Sequence, residues 1–294
     1  MYGLCLAVSL LLSGQDNSHR RGVELFQQQK YLEAAQVLTA AASTEQKSSA
    51  EYRESAILIA QSYFSLSQWA KAIPWLEGIP ATNESSYMLG YAYHQAGQQQ
   101  KSVAAFAQLF GLKADSAAAH LLTGQLLLKK ELNNEGAEEA AKALSIDPKI
   151  PEAHYLLAEV EMSRGDVPDS IVDLKRELDL NPSFSMAWYR LGDAYTRLND
   201  WDAAIPHLQR AVWLNPNFSG PYILLGKCYS KKEDPHTAIR FLRQARRLDP
   251  NNYMATFLLG RALIATGNEE EGKELVKKSE ALRIPPSTNL ESGK

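Results

Sequence analysis

Cysteine is nearly missing from this sequence, with two residues, Cys5 and Cys228, among 294. That excludes a disulfide framework and a thiolate metal cage. Long apolar runs are scarce too. The one that stands out is Leu4 to Leu12 (LCLAVSLLL), far below the ~20 residues a helix needs to cross a bilayer. An excess of one charge is also missing: the net charge is -3 at pH 7, so no overall field draws the chain to nucleic acid. The short motifs of catalysis are absent. There is no His-Glu-x-x-His pair, no Cys-x-x-Cys, no glycine-rich phosphate loop and no Gly-x-Ser-x-Gly elbow. What remains is ordinary. A hydrophobic fraction of 45% and a charged fraction of 22% supply a large core and exclude wholesale disorder.

The Leu4–Leu12 run fits the apolar segment of a secretory signal peptide, with small Ser13 and Gly14 before polar Gln15-Asp16. No Lys or Arg precedes it, and cleavage after Gly14 would leave Leu12 at the third position back. An uncleaved membrane anchor and a helix of the folded body are the alternatives. Residues 1–14 are therefore set apart, with a secreted or periplasmic location expected and a cytoplasmic or membrane-anchored one as the alternative.

The rest of the chain repeats itself. At a period of 34, Gly90, Gly124, Gly192, Gly226 and Gly260 fall in one column, with Ala158 in the missing slot. Pro148, Pro182, Pro216 and Pro250 form a second column, and Tyr93, Tyr195 and Tyr229 a third. Each unit holds two apolar-periodic segments separated by a polar turn. Trp188, Leu191, Tyr195 and Leu198 recur at three- and four-residue steps, as do Ala204, Leu208 and Ala211, so each set is one helix face. The glycines fall where two helices must approach closely. Asn215-Pro216 ends the second helix, because proline cannot continue a helical ladder.

These columns resemble the tetratricopeptide repeat family. The pattern W-x2-L-G-x2-Y…A-x3-F…A…P is matched by Trp188, Leu191, Gly192, Tyr195, Ala204, Leu208, Ala211 and Pro216. It is matched again by Tyr222, Leu225, Gly226, Tyr229, Ala238, Leu242, Ala245 and Pro250. The resemblance implies an all-α fold, a right-handed α-solenoid of stacked helix-turn-helix units. Eight are read: 15–48, 53–82, 83–116, 117–150, 151–184, 185–218, 219–252 and 253–286. The first is the weakest match, the second is short, and the fifth carries Glu161 in place of the aromatic. The last unit reads as a cap, because its second segment, EEEGKELVKKSEAL, is polar where no neighbour would cover it. Residues 287–294 are a polar tail.

No constellation in the sequence supports catalysis or metal binding, so no cofactor and no small-molecule substrate are expected. His120 and His154 fall in the Trp188/Tyr222 column and are read as packing residues. Cys228 reads as a buried small hydrophobe. Glu138-Glu139 and Glu269 to Glu271 read as solvated helix faces. Charge is segregated: Lys129 to Asp179 holds 13 acids against 7 bases, and Ser183 to Pro250 holds 10 bases against 6 acids. The Arg240, Arg243, Arg246 and Arg247 cluster reads as a solvated outer face rather than a nucleic-acid site.

The resemblance also implies that the first helix of each unit lines a concave surface. Position 5 of the units gives Tyr87, Tyr155, Tyr189 and Phe257. Position 9 gives Tyr91, Gln125, Glu159, Asp193, Lys227 and Arg261, and position 12 adds His94. An aromatic ridge flanked by amides, then acids, then bases suits an extended or helical peptide. The position-5 aromatics could alternatively serve the core. Glu54, Ile57 and Gln61 stand where some members hold a partner's terminal carboxylate with basic residues and asparagine, so that role is not expected. The expected function is a non-enzymatic scaffold for a protein or peptide partner. The alternatives are a self-associating spacer or an accessory subunit presenting substrates to a separate enzyme. Membrane contact is expected only through an uncleaved N-terminal segment.

Overall fold

Two apolar stripes per repeat, each long enough for three or four helical turns, are buried most simply by folding one helix back on the next. The computed structural model describes residues 17–283 and is all-α there: sixteen helices, with no strand among the described residues. Residues 1–14 and the 287–294 tail lie outside the described residues, and so do the expectations attached to them.

The helices run in pairs. The first four are α1 (17–27) with α2 (Tyr31–Ala42), α3 (Ala50–Ser65) with α4 (Trp69–Glu77), α5 (Asn83–Gln95) with α6 (Gln99–Gln108), and α7 (Ala117–Leu128) with α8 (Asn133–Ile146). The next four are α9 (Ala153–Arg164) with α10 (Val167–Leu180), α11 (Ser185–Arg197) with α12 (Trp201–Leu214), α13 (Ser219–Lys231) with α14 (Pro235–Leu248), and α15 (Tyr253–Ala265) with α16 (Glu269–Arg283). The chain divides into two compact units, Met1–Pro148 and Lys149–Lys294. Among the described residues no helix is long and apolar enough to cross a membrane.

Local chemistry sets the boundaries. Ser49, Ser116, Asp200, Asp234 and Asn252 each accept a hydrogen bond from the backbone N–H three residues on, and Thr82 forms a capping box with Ser85. At the other end, Asp147, Asn181, Asn215 and Asp249 precede prolines and have φ between -133° and -138°. The proline ring forbids the helical conformation to the residue before it, so the helix stops there each time. The shortness of the second unit has a local cause. Helix α3 starts at Ala50, ahead of position 53, while α4 has nine residues and carries Pro74 inside it.

Packing explains the glycine column. A Cβ on Gly192 would lie 2.5 Å from the Leu208 side chain, and one on Gly260 would lie 2.7 Å from the Gly272 backbone oxygen. Both pairs of helices touch backbone to side chain or backbone to backbone, and any larger residue would separate them. Leu174, Leu208 and Leu242, one per second helix, are fully buried, as are Leu191, Leu225 and Leu259 to within 1%. Cys228 is fully buried, and burial pushes its thiol up to about 11, so it packs as a hydrophobe. Glu269, Glu270 and Glu271 on α16 are exposed.

One expectation fails. Glu138 is exposed but Glu139 is completely buried, not on a solvated face. Three donors satisfy its carboxylate: Lys142 at 2.6 Å, His120 Nδ1 at 2.6 Å and Gln99 Nε2 at 3.0 Å. Burial alone would raise this carboxyl; the three bonds together hold it below the usual range.

Candidate functional site

The candidate surfaces lie on the first helices of each unit taken by itself, α5 and α7 in the first and α9, α11, α13 and α15 in the second. In the first unit Tyr87 and Tyr91 are half-buried on α5. Tyr91 lies 5.5 Å from the Trp69 ring, edge on, and 6.2 Å from Phe64; Tyr87 lies 5.9 Å from Phe106. The Lys130 ammonium stands over both tyrosine rings, at 5.8 and 5.7 Å. A cation at that distance from a ring face gains electrostatic attraction. His94 Nδ1 is 3.1 Å from Gln99 Oε1, which ties it to the Glu139 network rather than to Tyr91. Gln125 is half-buried on α7. A shallow cavity of about 360 Å³ opens beside Trp69, lined also by Gln68, Lys71 and Gln95.

In the second unit, Tyr155, Glu159 and Tyr189 are drawn together by a residue the sequence did not single out. Arg190 binds Glu159 through Nε at 2.7 Å and a terminal nitrogen at 2.8 Å. The same guanidinium lies 5.5 Å from the Tyr189 ring. Burial and the Glu159 charge push the Tyr155 hydroxyl up to about 12. Burial alone would lower Arg190; the Glu159 carboxylate outweighs it and raises it. Each tyrosine also packs against a phenylalanine from the loop before the next pair, Tyr155 tilted against Phe184 at 4.9 Å and Tyr189 edge-on to Phe218 at 4.8 Å.

The remaining position-9 charges differ from one another. Asp193 is 3.3 Å from Arg197 on its own helix. Lys227 lies 5.8 Å from the Trp201 ring. Arg261 is exposed and forms no ion pair with a described residue. It lines a cleft of about 650 Å³ between α13 and α15 together with Phe257, Leu258, Lys231 and Glu233. Phe257 is 37% exposed, and Tyr253 and Met254 beside it are similarly open. Seven of the eleven predicted residues therefore fall into three groups: Tyr87 and Tyr91 under Lys130, Tyr155, Glu159 and Tyr189 closed around Arg190, and Phe257 and Arg261 in an open cleft; His94, Gln125, Asp193 and Lys227 lie outside them.

Sequence reasoning missed Arg190, Lys130 and the two phenylalanines, and it also missed Trp69 and Trp201. The tryptophans had a signal. Both begin the second helix of their unit at one repeat position, and each meets the position-9 side chain of the following pair, Tyr91 and Lys227.

The histidines are structural ties. His154 Nδ1 is 2.8 Å from Asp173 Oδ1, and His120 stands equally placed against Glu139, the partner being 19 residues on in both. The next two pairs put aromatic stacks at these positions: Trp188 on His207 at 5.5 Å and Tyr222 near Phe241 at 6.5 Å. Tyr195 and Tyr229 complete those stacks. Glu161 takes the tyrosine's place in the 151–184 unit. Burial and the neighbouring Asp173 and Asp169 carboxylates push its own carboxyl up to about 7. Among the described residues no group of three or more His, Cys, Asp or Glu is arranged to hold a metal ion.

Paired helices at a constant period, stacked through a glycine–leucine interlock, define an all-α repeat architecture. Sequence profiles described as tetratricopeptide repeat match residues 87–151, 185–218 and 229–281, together about half of the chain. The chain belongs to the tetratricopeptide repeat family, whose fold supports a general role as a protein-interaction scaffold. Among curated proteins none matches the sequence. Similar solved structures include MamA, 27% identical with a TM-score of 0.50, covering 54% of this chain and 94% of that one. YrrB, described as a TPR protein with an unusual peptide-binding site, is 21% identical with a TM-score of 0.52, covering 62% and 93%. PilF of Pseudomonas aeruginosa is 15% identical with a TM-score of 0.56, covering 68% and 91%. The latter two are likenesses of fold.

Proposed function

We propose that this chain is a non-enzymatic scaffold that holds a peptide segment of a protein partner against its first helices, with the α13–α15 cleft as the anchoring point. The carrying observation is that cleft, where Phe257 and Arg261 are open to solvent while the other acidic and aromatic groove residues are engaged with one another. An apolar side chain would cover Phe257 and Leu258, and a carboxylate would meet Arg261 and Lys231. The peptide-binding description of YrrB supports the reading. Export to the periplasm or beyond belongs to the same proposal and rests on the Leu4–Leu12 run alone.

Selection of displayed random peptides on the whole chain tests it. Enriched peptides should combine an apolar residue with an acid and should lose about tenfold or more in affinity for Phe257→Ala/Arg261→Ala. Peptides that bind the double variant as well as the parent would sink the cleft as anchor. A second reading, self-association, draws on the adjoining exposed Tyr253, Met254 and Phe257. It requires an apparent mass that rises with concentration and falls to that of one chain in Phe257→Ala.

A further inference from the structure

The second helices of the second unit, α10, α12, α14 and α16, bury one face each. In α12 that face is Ala204, Leu208 and Ala211, and in α14 it is Ala238, Leu242 and Ala245. At 100° per residue, the opposite face falls at four positions of each helix. In α14 these hold Arg240, Arg243, Gln244 and Arg247, and in α12 Pro206, Gln209, Arg210 and Trp213. In α10 they hold Val172, Lys175, Arg176 and Asp179, and in α16 Glu274, Lys277, Lys278 and Ala281. Fourteen of the sixteen are exposed, with Arg210 and Gln244 half-buried. Eight are cations and two are acids. The equivalent face in α6 and α8 of the first unit is different, with Ala104, buried Ala107, Gln108, Glu138, Ala141, Lys142 and Ser145 at the matching positions that fall within those helices.

On α10 Arg176 is paired with Asp173 at 3.1 Å, but on α14 the ridge is not evened out by counter-ions. Arg240, Arg243 and Arg247 form no ion pair with a described residue; Arg247 donates to Gln244 at 3.2 Å. At its centre Trp213 is 69% exposed, the most open of the large hydrophobic side chains among the described residues, with the Arg210 guanidinium 4.2 Å from the ring centroid. Helices α12 and α14 both pack on α13 here: Val212, next to Trp213, and Ala245 and Leu248 of α14 share one cluster with Tyr222 and Ile223 of α13.

We propose that this outer ridge is a second docking surface, distinct from the first-helix groove, for an acidic protein segment that carries an apolar residue. Guanidinium forks receive carboxylates with two parallel bonds, and tryptophan and arginine are both enriched among the residues that dominate binding energy at protein interfaces. Two alternatives fit less well. Single-stranded nucleic acid takes successive aromatic platforms, and the ridge has one. A bilayer needs a larger insertable surface than Val172 and Trp213 supply.

The test uses labelled peptides of Asp and Glu, one all-acidic and one with a central Phe-Leu pair, read by fluorescence anisotropy at low salt. The Phe-Leu peptide should bind saturably and about fivefold or more tighter than the all-acidic one. Trp213→Ala should erase that preference. Arg243→Glu/Arg247→Glu should weaken both peptides about tenfold or more. All three side chains are exposed, and unchanged circular dichroism and melting would verify folding. In a Phe257→Ala/Arg261→Ala background, which removes the groove's own share of binding, the Trp213 and Arg243/Arg247 effects should persist undiminished, which separates this surface from the groove. Undiminished binding by the charge-reversed variant, or an intact preference in Trp213→Ala, would overturn the proposal. So would tighter binding to phosphatidylserine vesicles or a DNA oligonucleotide that is lost in the charge-reversed variant.

Discussion

The two compact units solve one packing problem with different side chains. In the second, one repeat position holds Leu174, Leu208 and Leu242, all completely buried, and Val276 in the last pair. In the first, the same position varies more, with Leu38, Leu76, Phe106 and Ala140. A constant side chain allows one geometry to be copied from pair to pair. A varying one requires each pair to find its own fit, and the first unit adds the buried Glu139 network and the short α4 with its internal proline. The contrast also runs through electrostatics. The first unit buries a carboxylate that gains three donors. The second buries Glu177 against backbone N–H groups alone and holds, at half-buried Glu161, a carboxylate that gains acidic neighbours. Regularity of sequence thus marks where packing is modular, and departures from it mark where titratable groups have entered the core.

The comparison can be broken most directly at the interlock. Gly192→Leu drives a side chain into Leu208 and should cost about 2–4 kcal/mol, lowering the urea midpoint of the second unit. Unchanged stability would mean that the glycine–leucine contact is not what spaces these helices. Glu139→Gln should follow, at about 1–3 kcal/mol, since a neutral amide cannot serve Lys142 and His120 equally. Its cost should shrink in acid. A carboxylate held below its unfolded value stabilises the fold above that value and loses the contribution as pH falls through the folded one. Glu161 should behave in the opposite sense. With its carboxyl raised to about 7, folding becomes less favourable as pH climbs from the ordinary carboxylate range toward 7. Glu161→Gln or Glu161→Tyr should therefore stabilise the chain at pH 8 and have little effect at pH 4. Urea midpoints of both variants across that range decide it, and parallel curves for parent and variant would refute the assignment. The smallest effect belongs to Trp213→Ala, expected within about 0.5 kcal/mol of the parent because the indole is open to water.

Much of the fold is written in spacing. The Gly192, Leu208 and Pro216 columns announce helix pairs, their interlock and their ends, because each depends on sterics that act over one pair. The site was less legible. Glu138 and Glu139 sit side by side in an acidic stretch, yet the 100° turn between them sends one to water and the other inward. Glu159 reads as a groove charge until α11 is stacked beside α9, bringing Arg190, 31 residues on, within ion-pair distance. Lys130 comes from the turn after α7 to cover tyrosines on α5. Each of these contacts joins side chains from different helices, so the pattern within one unit does not disclose them.

The Asn181-Pro182, Asn215-Pro216 and Asp249-Pro250 joints share nearly the same backbone angles at the residue before proline. They are spaced one period apart, so they work as interchangeable splice points. A genetic crossover between any two of them adds or removes a whole cassette and meets the same stop on either side. A chain of this kind can change its reach, or the number of cationic helices along its ridge, without a new fold having to be found.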